Sequence, residues 1–428
     1  MKKAFFLVVP LLCLGLVPLL AGGAQEKEKK VTLNAIAVND PFWVELTKLV
    51  GDFEAKTGIA IKMEGVGYDE AYNKITLDLS SHSGNYDIVG VDTPWCPEFS
   101  EAGFLADLGP YFQKSKAELK PQDLIGLGAG EWKGVQTALP ISPYIAITYY
   151  RRDLFAESGL SVPKTWEELY QTGKKLTRDT NGDGTVDQWG FAFGNAKGTC
   201  ITQFWELQYL SSGGKFWKNA KTGDFTPVLD ADLARKVTER FKRLLEIAPK
   251  DNVTFDWFDQ VNAFSQGRVA MVNWWDVFSG DFENQEKSVI GGKWAASDSL
   301  SADGSLGPWI GPWMFAISKD SKHQEEAWKF MKWALSEETQ RKLAATGATP
   351  PSIFSVLKDP TFQKVSPTAE ILVRQLAKGA LTWPYVKQSA KIEEEIMGLR
   401  LNQYMIGELS LDEAMSVMQQ EVLAVMKK

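Results

Sequence analysis

The chain has 428 residues, 44% apolar and 24% charged, with 54 acidic against 47 basic side chains and a formal net charge of −7. That length exceeds one ordinary core and that composition is globular, which predicts two or more lobes and excludes a disordered chain. The acidic balance, with no basic cluster after the N-terminus, argues against a nucleic-acid partner.

Lys2 and Lys3 precede an uncharged run from Ala4 to Ala21, followed by AGGA and the charged stretch QEKEKK. This is the order of a secretory signal peptide over residues 1–24, with cleavage expected near Ala24. Cys13 lies inside the apolar run, too early for a lipid-bearing cysteine at a cleavage site. Removal of the segment leaves Cys96 and Cys200, which are expected to be free thiols. No later stretch is long and apolar enough to span a bilayer.

VTLNAIAV (31–38) reads as a buried strand. Asp40 followed by Pro41 supplies an N-cap with proline at the first helical position, and the helix should end before Gly58. IAIKMEGV is a second strand, DEAYNKITLDLSS a helix and YDIVGVD a third strand. That β-α-β-α-β order predicts an α/β lobe with a largely parallel sheet. PYIAITYYRRDLF (143–155) is an apolar strand running into a charged turn, and Thr165 with Glu168 forms a capping box.

DTNGDGTVDQWG (179–190) then resembles a calcium loop. Asp179, Asn181, Asp183 and Asp187 fall on ligand positions 1, 3, 5 and 9, Gly184 on the sharp turn, and the carbonyl of Thr185 supplies a further oxygen. Position 12, normally a bidentate Glu, is Gly190. QWGFAFG downstream reads as a strand, so the paired helices of a calcium sensor are absent. Two readings stand, a structural calcium clip or a metal-free Asx turn; no cofactor is required by either.

ITQFWELQYLSSGG and FDWFDQVNAFSQG have helical spacing, and RVAMVNWW is a strand. Ser321 with Gln324 predicts a capping box for a helix burying Ala327, Phe330, Met331 and Ala334. Ser410 with Glu413 caps the last amphipathic helix. No internal repeat is present.

The strings ITYYRRDLFAESGLSVPKTWEEL, FSQGRVAMVNWW and MFAISKDSKHQEEAWKFMKWALSEETQRKLAATGATPPS, in that order and spacing, resemble the family 1 extracellular solute-binding proteins of ABC importers. The resemblance implies a two-lobe α/β fold with a ligand cleft and chain crossings near 141–147, 308–314 and 346–351. It implies an N-terminal lobe of 31–143 and 312–346 and a C-terminal lobe of 147–308 and 350–428. It further implies a monomer outside the cytoplasm, periplasmic or extracytoplasmic, that delivers a carbohydrate to membrane permease subunits. Cys96 and Cys200 would then lie in different lobes, where a disulfide would lock the hinge.

Sixteen tryptophans exceed what core packing needs. Trp166, Trp328 and Trp333 on helices are read as core. Trp43, Trp95, Trp274, Trp275, Trp309, Trp313 and Trp383 lie at strand ends or in Gly/Pro-rich segments, where α/β lobes bind ligands. An indole face suits the C–H face of a sugar ring, with Trp275 and Trp313 as stacking candidates. Sugar hydroxyls would meet Asn39, Asp40, Asp92, Tyr144, Asn273 and Asp276. Motifs for a serine hydrolase, a zinc protease or a phosphate loop are absent from the sequence. His82 and His323, the only histidines, sit in a polar turn and a charged first helical turn. The alternatives are a two-lobe binder of a non-sugar solute such as a polyamine and a glycoside-acting enzyme.

Overall fold

A computed structural model describes residues 31–115, 118–346, 349–383 and 385–427. The expected signal peptide, with Cys13, lies outside the described residues, as do residues 347 and 348 of the third expected crossing. Two β-sheets, each covered by helices, organise the chain into two α/β lobes.

The first sheet begins as the sequence predicts. β1 (Thr32–Val38) is followed by α1 (Pro41–Thr57), β2 (Ala60–Val66), α2 (Tyr68–Ser80) and β3 (Ile88–Val91). Asp40 caps α1 by accepting the Trp43 amide, and Gly58, at φ 73°, closes it with its N–H on the Glu54 carbonyl. β1 pairs in parallel with β2 and β3. β4 (Ala138–Ser142) and β8 (Trp313–Ile317) complete the order β2-β1-β3-β8-β4, with β8 antiparallel to both neighbours. The buried side is aromatic: Phe53 meets Phe330 edge to face at 5.2 Å, and Phe42 meets Phe315 at 6.3 Å.

The second sheet is antiparallel throughout. β5 (Ala146–Arg151) sits between β6 (Met271–Trp275) and β7 (Trp294–Ser297). The helices around it include α3 (Trp166–Leu176), α4 (Thr199–Ser211) and α5 (Asp232–Arg243). Every residue of α4 is buried, as expected for a helix enclosed on all sides. The first lobe's α6 (Gln324–Ala334) buries Ala327, Phe330, Met331 and Ala334, the face read from the sequence.

Local details depart from expectation in three places. Ser321 does not cap α6: its hydroxyl donates to Asp87 and accepts the His323 amide, leaving the helix to start at Gln324. Thr165 does cap α3, but Glu168 reaches back to the amide of Lys164 instead of that of Thr165. The strand expected after Asp187 reduces to single bridges, Trp189 with Val269 and Ala192 with Val272. The final helix, α7 (Leu411–Met426), carries the full Ser410–Glu413 box.

Cys96 and Cys200 are free and buried, 1% and 2% exposed, and burial raises both thiols above their ordinary range. The thiolate is the reactive form. Neither should therefore react with a thiol reagent in native protein, and both should react after denaturation; rapid native labelling of either would contradict this packing.

Candidate functional site

The two lobes enclose a cavity of about 490 Å³. The first lobe supplies Asn39 and Asp40 after β1, Gly65 to Tyr68 at the end of β2, and Asp92 after β3. These are the carboxyl ends of its parallel strands, where side chains and helix starts converge outside the sheet. The second lobe supplies Gln203 of α4, the Asp256–Phe258 loop, and Trp274, Trp275 and Phe278 at the end of β6. Tyr144, Trp309 and Gly311 come from the segments that run between the sheets, Trp313 from the start of β8, and Tyr385 completes the lining.

The lining carboxylates are held, not free. Asp40 accepts the Trp43 amide at 2.7 Å on one oxygen and the Tyr144 hydroxyl on the other. Asp92 accepts the Tyr68 hydroxyl and the Thr93 amide, both at 2.7 Å. Burial pushes each up to about 6, with these hydrogen bonds pulling the other way. Asp276, behind the wall, is pushed up to about 7 by burial and accepts the Ile145 amide at 2.9 Å. None of the described residues lining the cavity is Lys, Arg or His.

Aromatic faces make up most of the remaining wall. Trp275 lies 4.8 Å from Trp309 and 4.7 Å from Trp274, centroid to centroid. Tyr68 of the first lobe meets Trp257 of the second at 4.8 Å, so the lobes touch across the cleft mouth. Trp257 donates its indole N–H to Gln203 at 3.1 Å.

Of the residues expected from sequence, Asn39, Asp40, Asp92, Tyr144, Trp274, Trp275, Trp313 and the wider-set Trp309 line this cavity. Others stand one layer back. Trp43 is buried edge-on to Phe315 at 5.9 Å, and Trp95 is wedged between Tyr68 and Trp313. Asn273 turns to its strand partner Thr148, to which it donates at 2.7 Å. Trp383 packs on Phe216 at 4.7 Å and faces a separate cavity. Trp166 and Trp328 are buried as expected, and Trp333 is half-buried against Phe53. Tyr68, Gln203, Trp257 and Tyr385 were not legible as site residues; the glycine before Tyr68, at a strand–helix turn, was the one available signal.

The sequence profile of bacterial extracellular solute-binding proteins matches residues 39–341. The chain belongs to that family. The mannitol-binding protein of Pseudomonas aeruginosa is 23% identical over 439 residues, covering 97% of this chain and 96% of that protein. A probable amino-acid ABC transporter periplasmic-binding protein of Sinorhizobium fredii is 24% identical over 371 residues, 84% of this chain and 81% of its own. Among solved structures, an ABC transporter solute-binding protein of Agrobacterium radiobacter K84 in complex with ribitol superposes with a TM-score of 0.83 at 29% identity, covering 91% of this chain and 98% of that one.

In this solute-binding protein the acidic loop lies on the second lobe, and its side chains face its own backbone. Asp179 accepts the amides of Asn181, Gly182 and Gly184, while Asn181 and Asp183 accept those of Asp183 and Thr185. Asp187 accepts the amide and hydroxyl of Thr180. The amides of Gly184 and Thr180 are the leading cause that lowers Asp179 and Asp187 respectively. The pattern closes the loop as successive Asx turns. Among the described residues no group of three or more acidic, His or Cys side chains is arranged to hold a metal.

Gly311 lets Trp275 form the wall: a Cβ there would lie 2.9 Å from the Trp275 ring edge. Gly311→Ala should displace the ring and weaken solute binding about tenfold, ~1.4 kcal/mol, with a cooperative unfolding transition retained. Unchanged affinity in a fluorescence titration would remove Trp275 from the binding surface.

Proposed function

We propose that this protein captures a neutral carbohydrate, a sugar or an alditol, in the interlobe cleft and delivers it to the membrane subunits of an ABC importer. The observation that carries the reading is the cavity wall itself. Trp and Tyr faces offer the quadrupole that C–H groups of a polyol prefer, and fixed Asp, Asn and Gln groups offer partners for hydroxyls. The ribitol complex and the mannitol-binding relative support the same class. Export outside the cytoplasm, with loss of residues 1–24, accompanies the reading, as does a monomeric state.

An amino-acid ligand, which the name of one relative raises, would bring an α-carboxylate to a wall without a cation among its described residues. Burying that charge unpaired is costly. A polyamine is the second reading, because Asp40, Asp92 and Asp256 all line the cavity. Catalysis is not part of the proposal: Asp40 and Asp92 are each held in place by a tyrosine hydroxyl and a backbone amide. The lobes close on the ligand, and it leaves unchanged.

A thermal-shift panel of ribitol, D-mannitol, maltose, spermidine and glutamate tests this. A carbohydrate should raise the midpoint, corresponding to about 2.7 kcal/mol at a hundredfold excess over Kd. Stabilisation by spermidine or glutamate alone would sink the carbohydrate reading.

For the loop at 179–187 we propose closure by its own hydrogen bonds, with no cation required. The supporting observation is that its carboxylates already serve backbone amides. The unfolding midpoint should be the same in chelator and in millimolar calcium, whereas Asp179→Ala should lower it by removing several such bonds. A calcium-dependent midpoint that Asp183→Ala abolishes would establish the clip instead.

A further inference from the structure

Behind Gln203 and Tyr385 the fold buries two glutamates. Glu206 lies one turn beyond Gln203 on α4. Glu393 lies in the π-wound stretch Ile392–Met397, which packs against α4. They are 0% and 1% exposed, and none of their four carboxyl oxygens has a hydrogen-bond partner among the described residues. Two such groups cannot both be ionised: an unpaired buried carboxylate takes a proton instead. π-turns are uncommon and often mark functional positions.

Asp92, from the opposite lobe, is the third member of the group. Its charge acts on both glutamates, and it shares the cavity wall with Gln203, one turn before Glu206 on α4. The other groups facing the cluster bring no positive charge. Tyr68 and Tyr385 are neutral, and Glu394 is a further acid, bonded to the amide and hydroxyl of Thr199. Cations on the packed helices are engaged elsewhere: Arg240 with Gln208 and Ser212, Arg400 with Glu421, and Lys391 with Glu395. Burial first, and then the neighbouring carboxyls, hold Glu206 and Glu393 well above the ordinary range.

Glu206 and Glu393 belong to packed helices of the second lobe, whereas Asp92 follows β3 of the first. We propose that Asp92, Glu206 and Glu393 form a proton-binding cluster spanning the cleft, so that closure takes up a proton and solute capture weakens as the pH rises. The proposal rests on the reading of the cleft as the binding site. A carboxyl raised in the closed state favours that state fully below its open-state pKa and loses the advantage as pH climbs through the closed-state value. For Asp92 the window runs from the ordinary value near ~4 to about 6.

Infrared spectra of ligand-free protein at neutral pH should show a protonated-carboxyl C=O stretch that Glu206→Gln with Glu393→Gln weakens, leaving the share due to Asp276. The double variant should unfold at a higher midpoint than the parent near pH 8 and at the same midpoint near pH 5. The scattering radius of the ligand-free parent should shrink from about pH 8 to about pH 5 as the closed form gains. In titrations with ribitol, D-mannitol and maltose, any Kd measured should rise by up to about tenfold per pH unit in the parent and less in the variant. Glu393→Gln alone serves if the double variant does not fold. An infrared band no weaker in the variant, or a radius indifferent to pH, overturns the cluster. If the band and the radius behave as expected while no sugar binds, the cluster stands and the carbohydrate reading falls.

Discussion

The site depends on a short main-chain pairing between the two segments that join the sheets. Ala146 donates its N–H to the Trp309 carbonyl, and Gly311 donates to the Tyr144 carbonyl, both at 3.0 Å, with Ile145 bridged antiparallel to Ile310. Asp276 ties the end of β6 to the same point: its carboxylate accepts the Ile145 amide, and its own amide donates to the Ile145 carbonyl. Tyr144, Trp309, Gly311, Trp275 and Trp313 all take their positions from this junction. Tyr144 has φ 32°, in the left-handed region that a bulky residue seldom adopts. Such a conformation costs on the order of 1–3 kcal/mol and persists only where the surroundings over-determine it. Here the Gly311 amide, the Asp40 carboxylate and the Trp275 ring all fix it.

The polar chemistry around this junction follows from a shortage of cations. Asp40, Asp92 and Asp276 are buried, and their hydrogen bonds come from hydroxyls and amides. A buried carboxylate paired with arginine would present a closed, fully satisfied unit. A carboxyl near neutral pKa, held by a tyrosine, keeps acceptor capacity and can change its protonation. The same economy makes the wall hospitable to hydroxyl-bearing solutes and poor for anions. It also leaves Glu206 and Glu393 with protons as their available counter-charge.

The first sheet was legible because its signals are local: Asp40–Pro41 starts α1, Gly58 ends it, and β1 is a continuous apolar run. The Ser321–Gln324 pair misled because a long-range partner, Asp87, takes the serine hydroxyl that the local pattern assigns to the helix. Site residues divide in the same way. Asp40, Asp92, Trp274 and Trp275 follow strands that are readable one at a time. Asn273 neighbours Trp274 in the chain, but its amide is spent on its strand partner Thr148. Tyr68, Gln203, Trp257 and Tyr385 come from a helix start, a helix interior and loops, and only the packing of two lobes brings them together.

Trp313 shows how the sheet and the cleft are joined in one residue. It begins β8, the strand that returns from the second lobe to complete the first sheet. The register with β4 slips between Trp313, opposite Ser142, and Met314, opposite Pro140. Pro140 has no amide hydrogen to give the ladder, so pairing at that point is already weakened. A slip of this kind bends a strand and re-aims a side chain, and it recurs beside functional sites. Met314 and Phe315 beyond it are fully buried in the first lobe, whereas Trp313 before it turns to the cavity, flanked by Trp95 at 5.8 Å and Tyr68 at 6.2 Å. The ring is therefore fixed by the first lobe's sheet on one side and by Tyr68 on the other. Tyr68 in turn contacts Trp257 of the second lobe, so one continuous aromatic chain runs from the first lobe's sheet to the second lobe.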